Sequence, residues 1–335
     1  MSVTSEFKIA CRKAGIALGV MFISRLVAEG VILLLSLMLK DADPTASYLI
    51  CTLVSILFMY ICPIAITMKL FGHSFSKNKK LYKKCDRMGK AVSWILPCYG
   101  AGQMINLIVL VISFLIANNK NAVADTFAPI TSGGGTASSS VTTIALIIQL
   151  VVLAPLFEEF WFRGIIQTGL SKYGHGFSIM VSALFFGLAH GNVHQFCYTF
   201  VIGILLGYVR YATDSLVPTT IIHAILNSIP AIILAFTSSE PIISGMVKNQ
   251  MGMELNSLES TMFTILGILL IAIFIFMIIG MISTISKLRH NRLYRPVNNY
   301  PEMTKSEKLI ALLKEPVFTI CCILSFAFMM VIIFI

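Results

Sequence analysis

Residues 154–164 read APLFEEFWFRG and set Glu158, Glu159 and Arg163 at the end of an apolar run that begins near Val141. A charge at membrane depth costs about 3 kcal/mol or more, so such groups are compensated, snorkel to the interface or face a polar interior. On a helix, Glu159 and Arg163 lie four residues apart on one face and can pair, whereas Glu158 sits about 100° round the axis without that partner. The two glutamates should therefore differ. A carboxylate held by a guanidinium stays ionised, and one desolvated by apolar neighbours is the better proton acceptor near neutral pH. The plainer reading, two glutamates reaching water beside Arg163, fits these residues as well.

Composition identifies the run as part of a membrane protein. With 57% of 335 residues hydrophobic, 12% charged and a mean hydropathy of +0.88, the chain has too few polar residues to cover a soluble globule. Hydrophobic stretches fall at 14–39, 47–70, 91–117, 142–163, 177–191, 195–211, 216–236, 260–284 and 316–335. Most approach the roughly 20 residues that cross a bilayer, and the fifth and sixth are short. The expected fold is all-α: one integral domain, 1–335, built as a polytopic bundle of about nine transmembrane segments.

Lys8, Arg12 and Lys13, the stretch SKNKKLYKKCDRMGK, Arg163 with Lys172, Arg210, and SKLRHNRLYRP (286–296) all fall on one side if the segments alternate. The positive-inside rule makes that side the cytoplasm, with the N-terminus there and the polar loops 118–141 and 237–259 outside. The net charge of +10 is then a topology signal with attraction to anionic lipid, and it argues against nucleic acid as a partner. No cleavable signal peptide is evident, so the first helix is expected to stay as an anchor. The eight cysteines have no ligand-like spacing and read as small hydrophobes. TSGGGTASSS reads as a flexible linker.

Two further polar clusters interrupt apolar helices. SALFFGLAH (182–190) puts Phe186 and His190 on one face, and SLVPTTIIHAILNSIP (215–230) does the same for His223 and Asn227. Carboxylate, two imidazoles and a carboxamide from three segments are what water activation and oxyanion stabilisation require. His194 could join the cavity but reads better as interfacial, His73, His175 and His290 read as solvated, and Arg25 with Glu29 as a self-neutralising pair. TKSEKLIALLKEP (304–316) has the pattern of a helix lying along the membrane surface.

EEFWFRG fits EExxFRG, FGLAH fits FxxxH and HAILN fits HxxxN, in that order on successive hydrophobic segments. In these motifs the chain resembles the CAAX prenyl protease and bacteriocin-processing (CPBP, or Abi) intramembrane proteases over about residues 142–234. The resemblance implies a helix bundle enclosing a polar cavity and an intramembrane endopeptidase acting on a peptide or membrane-protein substrate. Carried over by position, Glu158 would activate water with His190 assisting, and His223 and Asn227 would stabilise the oxyanion. Glu159 and Arg163, with Phe186, would hold the geometry.

The role of a metal is left open by the sequence. Glu158, His190 and His223 could form a zinc shell, yet there is no HExxH and Asn is an unusual zinc ligand, which favours a metal-free glutamate mechanism. Two other classes remain: a bacteriocin self-immunity or partner-binding protein of the same fold, and a proton-relay transporter, for which the expected paired repeats are not seen. Prenylated CaaX proteins, leader peptides and membrane proteins are all admissible substrates, and the compact loops favour a bacterial plasma membrane.

Overall fold

In a bilayer every backbone polar group must be satisfied internally, and the long apolar stretches resolve this as helices. The computed structural model describes residues 3–74, 80–117, 140–237, 239–289, 296–298 and 300–334. Most of the Gly/Ser-rich linker, part of the basic loop at 75–79 and His290 lie outside them. All secondary structure among the described residues is helical. The main elements are α1 (Val3–Met38), α2 (Pro44–Phe71), α3 (Ile95–Ala117), α4 (Val141–Tyr173), α5 (His175–Ala189), α6 (Val193–Thr213) and α7 (Val217–Thr237). They are followed by α8 (Glu240–Gln250), α9 (Ser257–Arg289), α10 (Lys305–Leu313) and α11 (Pro316–Phe334).

Seven of the described helices are long and apolar enough to cross a membrane, or eight if α10 and α11 count as one broken span. The chain is thus a multi-pass membrane protein, close to the expected nine segments; the fifth is short as expected, whereas the sixth, α6, is long enough to span. At 15 residues, α5 is shorter than a span, and α11 is bent by 75° from α10. That bend follows a capped helix start: the Thr304 hydroxyl accepts from the Glu307 amide at 3.2 Å, and the Glu307 carboxylate accepts from the Thr304 amide at 2.7 Å.

Lipid offers no hydrophobic drive for helix association, so close packing depends on small residues. The α3–α9 contact turns on Gly100 and Gly280: a Cβ built on Gly100 would lie 2.2 Å from the Gly280 carbonyl carbon. Likewise α1 meets α11 at Gly15, where a Cβ would fall 2.5 Å from the Phe318 nitrogen. These contacts brace a centre in which α4 is pinned to its neighbours by hydrogen bonds. Trp161 Nε1 donates to Thr67 Oγ1 on α2 at 3.3 Å, Ser182 Oγ on α5 donates to the Phe162 carbonyl at 2.8 Å, and Gln167 Nε2 donates to the Gly207 carbonyl on α6 at 2.9 Å.

Two of the spans are not regular α-helices. Wider π turns occupy Leu57–Ile61 in α2, and Gln149–Leu153 and Glu159–Gln167 in α4. The first two each end just before a proline, Pro63 and Pro155. A proline ring clashes with the carbonyl four residues back and cannot donate to it, and an extra residue in the preceding turn relieves both problems.

Candidate active site

Arg163 and Glu159 have no side-chain exposure at all, and their charges meet with Nη1 3.0 Å from Oε1. The guanidinium is further held by Phe186, whose ring centroid lies 4.3 Å from Cζ, and by the Gly203 carbonyl, which accepts from Nη2 at 3.4 Å. Removing one partner of such a buried pair leaves an uncompensated charge, at a cost of about 3–5 kcal/mol. Glu159 is therefore committed to Arg163.

It also holds a histidine. His223 Nδ1 stands 3.0 Å from Glu159 Oε1, and its Nε2 stands 3.6 Å from Glu158 Oε2. The imidazole thus bridges the two carboxylates from α7. Because an ionised carboxylate can only accept, the proton sits on Nδ1, and Nε2 is turned towards Glu158. His190 is fixed in the same sense: its Nδ1 donates to the Phe186 carbonyl at 2.7 Å. Phe186 ties the two rings together, making edge contacts with His190 at 5.0 Å and His223 at 5.4 Å between centroids.

Glu158 is the least committed of the charged groups. Its side chain is 12% exposed, against none for Glu159. Oε1 accepts a hydrogen bond from the Tyr60 hydroxyl at 2.9 Å, whereas Oε2 is buried and accepts none among the described residues. Asn227 is partly engaged: Nδ2 donates to the Leu150 carbonyl at 3.0 Å, so one of its two N–H groups is used in joining α7 to α4.

Among the described residues no three His, Cys, Asp or Glu side chains are grouped so as to hold a metal ion, and Glu158, His190 and His223 do not form such a set.

His194 is buried at the start of α6, with its backbone amide donating to Asn192 Oδ1 at 2.8 Å. His175 is partly exposed and stacks on Tyr211 at 4.0 Å between centroids. Arg25 does pair with Glu29 at 2.8 Å, but it also donates from Nη1 to the Ala189 carbonyl at 3.0 Å, next to His190. Neither Tyr60 nor this reach of Arg25 carries a sequence signal, since both depend on which helices adjoin.

A comparison with protein families matches residues 140–229 to the model described as type II CAAX prenyl endopeptidase Rce1-like. Neither a search of curated proteins nor one of solved structures finds a match. The matched stretch contains EEFWFRG, FGLAH and HAILN in full. The match over residues 140–229 is thus to the same kind of protease that the three motifs resemble.

Proposed function

We propose that this protein is an intramembrane endopeptidase that hydrolyses peptide bonds with a water activated by Glu158. The carrying observation is the asymmetry of that carboxylate: Oε1 is bonded to Tyr60, and Oε2 is buried, unbonded and 3.6 Å from His223 Nε2. Glu158 Oε2 takes a proton from water as the water oxygen attacks the scissile carbonyl, and later delivers that proton to the departing amine. His190, its Nδ1 proton held by Phe186, presents Nε2 to the same water.

With Nδ1 bound to Glu159, His223 donates from Nε2 to the developing oxyanion once that nitrogen has taken up a proton. The second N–H of Asn227 is the complementary donor. Each such donor contributes about 3–4 kcal/mol to the transition state in a dry site. Glu159 and Arg163 act through His223, much as a buried carboxylate orients an imidazole in hydrolytic triads. Water activated by a carboxylate in this way needs no metal ligand set. The Rce1-like match makes a peptide ending in a prenylated CaaX motif the first substrate to try, and the distribution of Lys and Arg favours a cytoplasmic N-terminus.

Cells expressing the wild type or Glu158→Gln at matched levels provide the test, by mass spectrometry of new protein N-termini in membrane and secreted fractions. Termini formed only with the wild type are expected, because loss of a general base costs about 100-fold or more. Identical profiles, with both proteins folded and abundant, would overturn the proteolytic reading in favour of a partner-binding or immunity role.

A further inference from the structure

We propose that Tyr60, from a helix outside the matched domain, is a positioning residue of the active site that selects Glu158 Oε2 as the proton-accepting atom. The inference rests on the proteolytic reading of Glu158 and adds to it a group supplied by α2. Tyr60 lies 98 residues before Glu158, within the π turn Leu57–Ile61. Its ring stacks on Phe157 with centroids 5.3 Å apart and planes 16° from parallel, which brings the phenol alongside the next residue, Glu158. From there the hydroxyl donates to Oε1 at 2.9 Å.

The last torsion of a glutamate is soft, and its two oxygens are chemically equivalent until something distinguishes them. Here the distinction is complete among the described residues. Oε1 has the phenol, and Oε2, without a hydrogen bond, is the oxygen nearest His223 Nε2. A neutral donor suits this task because it can hold the carboxylate without neutralising it, as a second guanidinium would. The phenol thus fixes the direction of the unshared oxygen before substrate arrives, which is the preorganisation that proton transfer needs. A ring that merely filled space against Phe157 would have no need of its hydroxyl.

Tyr60→Phe removes that hydroxyl and keeps the ring. The experiment uses the full chain in lipid nanodiscs, with a fluorogenic peptide ending in a farnesylated CaaX motif as probe. Expected for Tyr60→Phe is a fall in kcat of about 10- to 100-fold with KM within about twofold and the melting temperature unchanged. In a Glu158→Asp background, where the shortened carboxylate withdraws from the phenol, the same change should lower kcat by less than about threefold.

A kcat within about twofold of wild type, an effect on KM alone, or an equal fall in both backgrounds would overturn the proposal. A readout independent of turnover accompanies these assays. The infrared difference between wild type and Glu158→Gln isolates the carboxylate bands of Glu158, and these should shift in Tyr60→Phe. Unshifted bands would overturn the contact whatever the probe does. A wild type that leaves the probe intact counts against the proteolytic reading instead, and the infrared arm then decides the role of Tyr60.

Discussion

Gly191 has a backbone φ of +62°, and a Cβ placed on it would stand 2.0 Å from Arg25 Nη1. Both facts follow from the end of α5. The chain must reverse directly after His190, and the guanidinium from α1 lies over the turn, donating to the Ala189 carbonyl. A cation at a helix C-terminus is favourable in itself, and here it also restrains the residue next to a proposed catalytic imidazole. Gly191→Ala would add left-handed strain of about 1–2 kcal/mol and push Arg25 off Ala189. The expected result is a melting temperature lowered by several degrees and turnover reduced roughly tenfold, read by thermal unfolding in detergent and by cleavage of the farnesylated probe. A variant with unchanged turnover would mean that His190 needs no such restraint.

Among the elements, each of the three π segments contributes a group to the site. Leu57–Ile61 contributes Tyr60, Gln149–Leu153 contributes the Leu150 carbonyl that accepts from Asn227, and Glu159–Gln167 contributes the buried ion pair. A widened turn shifts the register of every side chain beyond it and leaves a carbonyl available, which is why π turns concentrate at functional sites. The four-residue spacings of the motifs survive this distortion, so the pairing of Glu159 with Arg163 was legible in the sequence. The register shift itself was not, because hydrophobic periodicity is blurred where both sides of a helix are apolar. Pro63 and Pro155, inside long apolar runs, were the available signal.

The loop at 80–87 is another contact that periodicity could not foresee: its Leu81 carbonyl accepts from the Leu216 amide at 2.9 Å, and Lys83 and Arg210 both pair with Asp214. Partial burial alone would raise the Asp214 carboxyl, but the hydrogen bond and charge of Lys83 and the charge of Arg210 outweigh it and hold it below its ordinary value of 3.8. A depressed carboxylate stabilises the fold above the unfolded-state value and loses that contribution as the pH falls through the folded one. Asp214→Asn, which tolerates the same φ of 49°, should therefore lower the melting temperature by a constant amount from neutral pH down to about pH 5. The difference should close below about pH 4 and shrink at high salt. A gap that widened with acid would refute the pairing.

At the scale of the whole molecule, the matched domain accounts for the motif residues, while their surroundings come from both ends of the chain. Class and membrane character were legible because composition and segment length are global properties. The enclosure of the site was not, because it depends on α1, α2 and α11 meeting across hundreds of residues. α11 illustrates the dependence. Phe328 packs edge-on against Phe22 at 5.9 Å, and its ring lies 5.5 Å from the guanidinium carbon of Arg25. Phe318 and Phe326 continue the contact onto Phe185 of α5 and Phe196 of α6.

Phe328 is thus linked to His190 through Arg25 and Ala189, without touching the reacting groups. If that linkage is physical, Phe328→Ala and Arg25→Leu should each lower turnover of the farnesylated probe by roughly tenfold, with the double variant no worse than the weaker single one. Independent roles in folding would instead make the two losses multiply, each following the amount of folded protein. Measuring kcat per folded molecule for all four proteins separates these outcomes, because coupling through Arg25 changes the rate of an intact site, whereas simple destabilisation changes only how many sites are intact.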